Sequence, residues 1–442
     1  MISTEDSVLY GVLAFLWIEF LWELYLSYRQ HLVYCKAVSV PAELRGIMDE
    51  ETYQKARLYG LDKSSYSIVK QIFDILESTV FILLAGFTFF WRMSGDTLKG
   101  LGQASPGEFT QSLLFVFYMN LFNTVLGLPF SIYHTFVLEE RHGFNKQTAA
   151  FFIKDKLKAF VVSQLIVLLL VLATLYIVKA GGDYFFIVLW LFTMFTTFFL
   201  LTIYPNYIAP LFDKYTPLPE GELRSKIEAL AQSINFPLYK LYVVEGSKRS
   251  THSNAYFYGF FKNKRIVLFD TLLKDYVPEG GSTSENQGKG CDNEEVLAVL
   301  AHELGHWQLN HILKNLVIMQ LNLLLLFLMF SRLFKYPALY RAFGFVDVQP
   351  IIIGLLVILQ FIFSPYNAVL SFLMTILSRR FEFQADAFAA KLNKAAYLRK
   401  ALIKLNLDNL SFPVFDWLYS SWHHSHPPLL ERLQALEERK DK

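Results

Sequence analysis

Two histidines four residues apart with a glutamate between them, His302-Glu303-Leu304-Gly305-His306, could do hydrolytic chemistry if they share a helix. One turn separates His302 from His306, so both imidazoles reach toward one metal ion. Glu303 is rotated away from them, near enough to take a proton from water activated there without occupying the metal. A catalytic zinc ion takes three protein ligands and leaves a fourth position for water. Downstream, Arg379-Arg380-Phe381-Glu382-Phe383-Gln384-Ala385-Asp386 supplies a candidate third ligand in Glu382. Asp386, one turn further, could accept the N–H of a ligating histidine and fix its tautomer. The competing readings are a helix with two surface histidines and, for Asp386, a salt bridge to Arg379 or Arg380. Both halves in one chain favour a zinc site, with one Zn²⁺ per chain.

The elements that must position these groups begin with the helix itself. Val296, Leu297, Val299 and Leu300 follow an acidic start at Glu294 and Glu295, which suits a helix N-terminus. The surroundings are far more apolar. Of 442 residues 54% are hydrophobic, 17% aromatic and only 18% charged, against about a quarter charged in soluble domains. The net charge of +2 lacks the basic surplus of a nucleic-acid binder, so no nucleic-acid partner is expected. Two cysteines, Cys35 and Cys291, provide neither a disulfide framework nor a cysteine zinc cluster.

Seven runs of about 20 residues are long and apolar enough to span a bilayer: 8–28, 68–91, 112–134, 160–178, 184–204, 313–334 and 350–377. Glu5 and Asp6 precede the first, where a cleaved signal would carry positive charge, so that run is expected to stay as an anchor. Basic residues crowd the links after the first and third runs (Arg29, Lys36, Arg45 and Arg57; Arg141, Lys146, Lys154 and Lys156). The positive-inside rule then places the N-terminus in the lumen, with residues 205–312 and the C-terminal tail in the cytosol. Both halves of the zinc site fall on that one side. The chain thus divides into spans one to five (1–207), a cytosolic segment with the HELGH helix (208–312), spans six and seven (313–377) and a C-terminal cytosolic segment completing the site (378–442).

Several spans carry polar side chains that lipid would reject. They include Glu19 and Glu23, then Gln71, Asp74, Glu77 and Ser78, then Asn120 and Asn123. In the last span Gln360, Ser364, Asn367, Ser371, Thr375, Ser378 and Glu382 step by threes and fours along one face. Interhelical hydrogen bonding and a wet interior leading to the metal both account for such a stripe.

Between the fifth and sixth spans, 222–233 reads as an amphipathic helix and 241–244, 255–260 and 266–269 as short strands, with a tight connection at Lys262-Asn263-Lys264. Asn254-Ala255-Tyr256 would be a sheet edge able to hold a peptide as an added strand. Glu279–Asp292, rich in glycine and serine, reads as a surface loop. Past the last span, 385–406 is helical in pattern, and Trp422–Arg432 (WHHSHPPLLER) brings three histidines together. Arg439-Lys440-Asp441-Lys442 is similar to a dibasic endoplasmic-reticulum retrieval tail.

HELGH with FEFQAD, together with Phe136–Lys146 (FVLEERHGFNK) and Ser253–Thr271 (SNAYFYGFFKNKRIVLFDT), closely resembles the type I CAAX prenyl proteases. That resemblance implies a predominantly α fold: a seven-span membrane bundle around a water-filled chamber, with a zincin-like α+β metalloprotease domain. It also implies that His426 lies by the active site and that Arg432 helps hold the peptide. Both are donors suited to an oxyanion or a substrate carboxylate. The implied substrates are prenylated CAAX-terminal proteins, prelamin A among them in animals, with a second upstream cut. The implied address is the endoplasmic-reticulum and inner nuclear membranes. A general quality-control membrane metalloprotease and a non-catalytic, polar-lined membrane protein are the alternatives.

Overall fold

The computed structural model describes residues 3–250, 252, 254–259, 264–274, 276 and 289–437. Lys262-Asn263, most of the Glu279–Asp292 loop and the Arg439–Lys442 tail lie outside the described residues. Helices dominate: α1 (Thr4–Lys36), α2 (Glu50–Leu83), α3 (Gly86–Gly100), α4 (Glu108–Tyr133), α5 (Ala149–Ala180) and α6 (Phe185–Ile203) come first. After β1 (Tyr215–Pro217), α7 (Glu222–Ser233), β2 (Leu238–Val244), β3 (Ala255–Tyr258) and β4 (Lys264–Phe269) come α8 (Asn293–Gln308) and α9 (His311–Leu333). The chain then continues through α10 (Pro337–Ala342), α11 (Ile351–Leu356), α12 (Ser364–Lys391), α13 (Ala395–Asp408), α14 (Trp417–His423) and α15 (Leu429–Glu437).

Among the described residues five helices are long and apolar enough to cross a membrane, and two bent pairs bring the number to seven. Both bends fall within runs that the sequence reading gave as single spans, 68–91 and 350–377. Between α2 and α3 the axis turns by 63°, with Ala85 in the left-handed region (φ 53°). A Cβ at Gly86 would overlap the Phe81 ring, so only glycine fits beside that turn. Between the π-helical turn Val357–Ile362 and α12 the axis bends by 56°. Pro365 stands in the first turn of α12, where its missing N–H costs nothing but where it cannot continue the preceding helix. The polar stripe is therefore not one straight face: Gln360 lies before the bend and Ser364 to Glu382 after it.

Among the intramembrane polar residues, interhelical hydrogen bonding has instances. Gln71 donates to Ser27 Oγ (3.0 Å) and Asn120 to Gln164 Oε1 (3.3 Å), which are bonds between helices. Glu77, Ser78, Asn120, Asn123 and Gln360, from three spans, line one cavity of about 260 Å³. Glu23 does something else. It accepts from Trp422 Nε1 (2.7 Å) and pairs with His423 (3.1 Å), tying α1 to α14.

The ends of the bundle differ. At one, α1 meets the C-terminal segment through Arg29 and Asp416 (2.8 Å), and Asp155 of α5 holds Arg249 (2.6 Å). At the other, Glu108 of α4 accepts the Ile351 N–H (3.0 Å) and Glu5 pairs with Arg341 (3.5 Å). A four-stranded sheet of order β1-β2-β4-β3 packs at the first end, with β2 and β4 parallel and the outer pairs antiparallel. β1 escaped the sequence reading because it is three residues ending in a proline, a residue tolerated on sheet edges. The 385–406 helical reading divides at Leu392–Lys394, where Asn393 turns left-handed (φ 59°).

α8 is the central element of that end. Asp292 caps it, and Glu295 reaches back to the Asp292 N–H (2.9 Å) in a capping box. Val296 to Ala301 are all buried, so the helix is covered on every side. Glu294 anchors Lys226 of α7 (2.8 Å) and Lys394 before α13 (2.7 Å), which sets the helix against its neighbours.

Candidate metal centre

α8 and α12 cross at Gly305. A Cβ there would lie 3.1 Å from Ala385 Cα and 3.1 Å from Phe388 Cβ. The absence of a side chain lets α12 come close enough for Glu382 to face both histidines. Gly305→Val is expected to force the helices apart, costing about 1–3 kcal/mol. The check is a lower thermal-unfolding midpoint together with weaker zinc binding.

The three expected ligands converge. His302 Nε2 and His306 Nε2 are 3.3 Å apart, Glu382 Oε1 is 3.2 Å from His306 Nε2, and Glu382 Oε2 is 3.5 Å from His302 Nε2. Ligands about 2.0–2.1 Å from a tetrahedral zinc ion stand roughly 3.3–3.4 Å from one another; the His302–His306 and His306–Glu382 separations match two such edges, while Glu382 faces His302 through its other oxygen. Among the described residues Glu382 Oε2 is buried without a well-formed hydrogen bond. A buried carboxylate oxygen left in that condition is costly unless a cation completes it. The residues present fit zinc.

The far nitrogens of both imidazoles are held. His302 Nδ1 donates to Asp386 Oδ1 (2.8 Å), and Arg432 grips the same carboxylate through Nε (2.9 Å to Oδ2) and Nη2 (2.6 Å to Oδ1). With its proton on Nδ1, His302 presents the Nε2 lone pair to the ligand cluster. Arg379 pairs with Glu431 instead (2.7 Å), so the Arg379 alternative for Asp386 does not arise. His306 Nδ1 lies 3.0 Å from His311 Nδ1, and His311 Nε2 lies 2.9 Å from Gln384 Oε1. One assignment satisfies both contacts: His306 donates to a neutral His311, which donates to Gln384. His311 stacks on Phe381 at 4.0 Å.

Asp386 and His311 are thus the partners that aim the two imidazoles, and His311 and Gln384 are residues the sequence reading did not assign. Asp386→Asn is expected to lower zinc affinity about 10–100-fold, and His311→Phe by nearer ~10-fold because it removes a neutral acceptor. Competition with a chromogenic chelator measures both.

Glu303, His306, Glu382 and His426 line a cavity of about 260 Å³ with Tyr256 and Phe257 of β3. Burial pushes the Glu303 carboxyl above its ordinary value, against the pull of His302 and His306. β3 is an outer strand of the sheet, so the Ala255-Tyr256 backbone has an edge beside α8, and Asn254 precedes it with its own carbonyl accepting from Phe269 N (3.0 Å). The three clustered histidines separate. His423 goes to Glu23, and His424 packs on Phe415 and Tyr419, where burial lowers it to about 4. His426, its side chain 70% exposed, puts Nδ1 2.9 Å from Glu382 Oε2. Arg432 is buried, with Nε and Nη2 committed to Asp386 and Nη1 3.5 Å from Glu382 Oε2.

Two family models match the chain: the CAAX prenyl protease N-terminal region with five membrane helices over residues 30–214, and peptidase family M48 over residues 217–440. The CAAX prenyl protease 1 homolog of Mus musculus is 56% identical over 99% of this chain and 96% of its own length. CAAX prenyl protease 1 of Saccharomyces cerevisiae is 37% identical over 95% of this chain and 93% of its own length. A crystal structure of S. mikatae Ste24p superposes with a TM-score of 0.86 at 38% identity, covering 97% of this chain and 98% of that one.

Proposed function

This chain belongs to the CAAX prenyl proteases of peptidase family M48, integral-membrane zinc metalloproteases, and from that premise we propose which residues act and on what. The substrate is a protein ending in a prenylated cysteine followed by three residues, and the bond cut is the one after that cysteine. The observation that carries this reading is the tetrahedral-edge spacing of His302, His306 and Glu382 beside the Glu303-lined cavity.

His302, His306 and Glu382 hold the metal, with Asp386 and His311 aiming the imidazoles. When bound, zinc acidifies water and polarises the scissile carbonyl. The backbone at Asn254, Ala255 and Tyr256 takes the peptide as an added strand, which lays the bond across the Glu303 cavity. Glu303 removes a proton from the attacking water as the C–O bond forms and then delivers it to the amine nitrogen as the C–N bond breaks. His426, whose Nδ1 stands 2.9 Å from Glu382 Oε2, is the ring placed to donate from Nε2 to the oxygen gaining charge. Arg432 is a positioning residue: it locks Asp386, and Nη1 is its remaining donor toward the ligand cluster.

The finer reading extends to cell and substrate. The protein resides in the endoplasmic-reticulum and inner nuclear membranes, with the site on the cytosolic or nucleoplasmic side, and makes a second upstream cut in prelamin A. The positive-inside charge pattern and the similarity to mouse and human relatives support this. Purified enzyme incubated with farnesylated and unprenylated CAAX peptides, with and without a chelator, tests the substrate class. Chelator-sensitive release of a C-terminal tripeptide from the farnesylated peptide alone is expected. Equal cleavage of both would instead favour a general quality-control protease.

A further inference from the structure

Beside the catalytic cavity lies a larger one, about 520 Å³, within the range of pockets that enclose drug-sized ligands, about 300–1,000 Å³. Tyr59, Lys63, Ser64, His252, Tyr419 and His424 line it. Two separate segments connect the cavities in a short step. His252 lines the larger one and lies two residues before Asn254, where the edge of β3 begins; His424 lines it too, while Ser425 and His426 line the catalytic cavity. Two extended residues cover about 7 Å, and the three residues released from a CAAX end span roughly 10 Å. A peptide strand laid along β3 with its scissile bond over Glu303 therefore ends inside the larger cavity, provided its C-terminus points toward His252.

The cavity contains a lysine that feels the charge of one carboxylate, Glu139, without an ion-pair contact to it. Lys63 is exposed to it and sits over the Tyr59 ring at 4.8 Å. Among the described residues its ammonium makes no hydrogen bond or ion pair. The nearby carboxylate, Glu139, is already engaged: Tyr59 donates to Oε1 (2.7 Å), His134 lies 3.7 Å from Oε1, and His252 lies 3.5 Å from Oε2. Among the described residues this ammonium has no hydrogen-bond acceptor, and facing a cavity a few residues past the cut it matches a free carboxylate.

We propose that Lys63 receives the substrate's terminal carboxylate, so that this cavity measures three residues from the chain end to the scissile bond. The inference rests on the proposed function and adds the group that reads the chain terminus. It also sets the direction of the bound peptide, antiparallel to β3.

The test uses the zinc-loaded full-length enzyme and two farnesylated CAAX peptides, identical except that one ends in a free carboxylate and the other in an amide. The readout is the ratio of kcat/KM for acid over amide. Wild type is expected to favour the acid by about 10–100-fold, the worth of a hydrogen bond between charged groups. Lys63→Gln should bring the ratio to about 1, and Lys63→Arg should restore most of it. A wild-type ratio near 1, or a Lys63→Gln ratio equal to the wild-type preference because both peptides slow together, overturns the inference and leaves the proposed function standing. Failure of wild type to cleave either peptide overturns the proposed function, and the inference with it.

Discussion

Glu303→Gln is expected to bind zinc as tightly as wild type and to cleave prenylated peptide about 10²–10⁴-fold more slowly. The two halves of that result have different physical sources. Glu303 is not among the three groups whose ligand atoms converge, so amidation removes no ligand. It does remove the only carboxylate other than Glu382 that lines the catalytic cavity among the described residues. Burial has already pushed the Glu303 carboxyl above its ordinary value, which strengthens it as a proton acceptor. Glutamine has the same shape and no proton affinity near neutral pH. Zinc content by plasma emission and single-turnover rates on the same sample separate binding from chemistry. A near wild-type rate would remove Glu303 from the mechanism.

Glu382→Ala is expected to fail at the other step. Losing one of three ligands forfeits a quarter to a third of a binding energy of about 10–16 kcal/mol, on the order of 10²–10⁴-fold in affinity. The substitution also leaves the buried Arg432 guanidinium and the His426 Nδ1 facing a gap where a carboxylate stood. Zinc should therefore leave at chelator concentrations the wild type tolerates, and activity should go with it. Retention of stoichiometric zinc under those conditions would mean that another group is the third ligand. Because Glu303→Gln keeps the metal and Glu382→Ala loses it, the pair distinguishes base from ligand in a way that activity loss alone does not.

Much of the site was legible because its signals are local. His302, Glu303 and His306 lie on one helix, and the Asp292 and Glu295 capping box fixes where that helix begins. The link to Glu382 and Asp386 is tertiary. Local spacing offered Arg379 and Arg380 as partners for Asp386, and only the approach of α12 at Gly305 and of α15 decides for His302 and Arg432. His311 carries almost no sequence signal. Its ring reaches His306 because Asn310 adopts a left-handed backbone (φ 55°) between α8 and α9, and a histidine five residues past another predicts no such turn.

The same division holds for the membrane region. Apolar length located the spans, and Pro365 marks one bend. The other bend, at Ala85, has only Gly86 beside it and depends on how Phe81 packs. Glu23 stood out as a charge in an apolar run, but its partners, Trp422 and His423, lie some four hundred residues away in the chain. Periodicity detects such a residue without finding what it touches. Arg432 is a further tertiary case: its Nε and Nη2 hold Asp386 from 46 residues away in the chain.

The central claim is that one zinc ion, held by His302, His306 and Glu382, powers the cleavage of prenylated C-termini. The most direct measurement is a titration of chelator-stripped enzyme with zinc, following tripeptide release from a farnesylated CAAX peptide and bound metal in parallel. Activity is expected to rise from baseline and level off at one zinc per chain, with Glu382→Ala showing no rise at the same free zinc. Full activity in metal-free enzyme, or an equal rise in Glu382→Ala, would contradict the account.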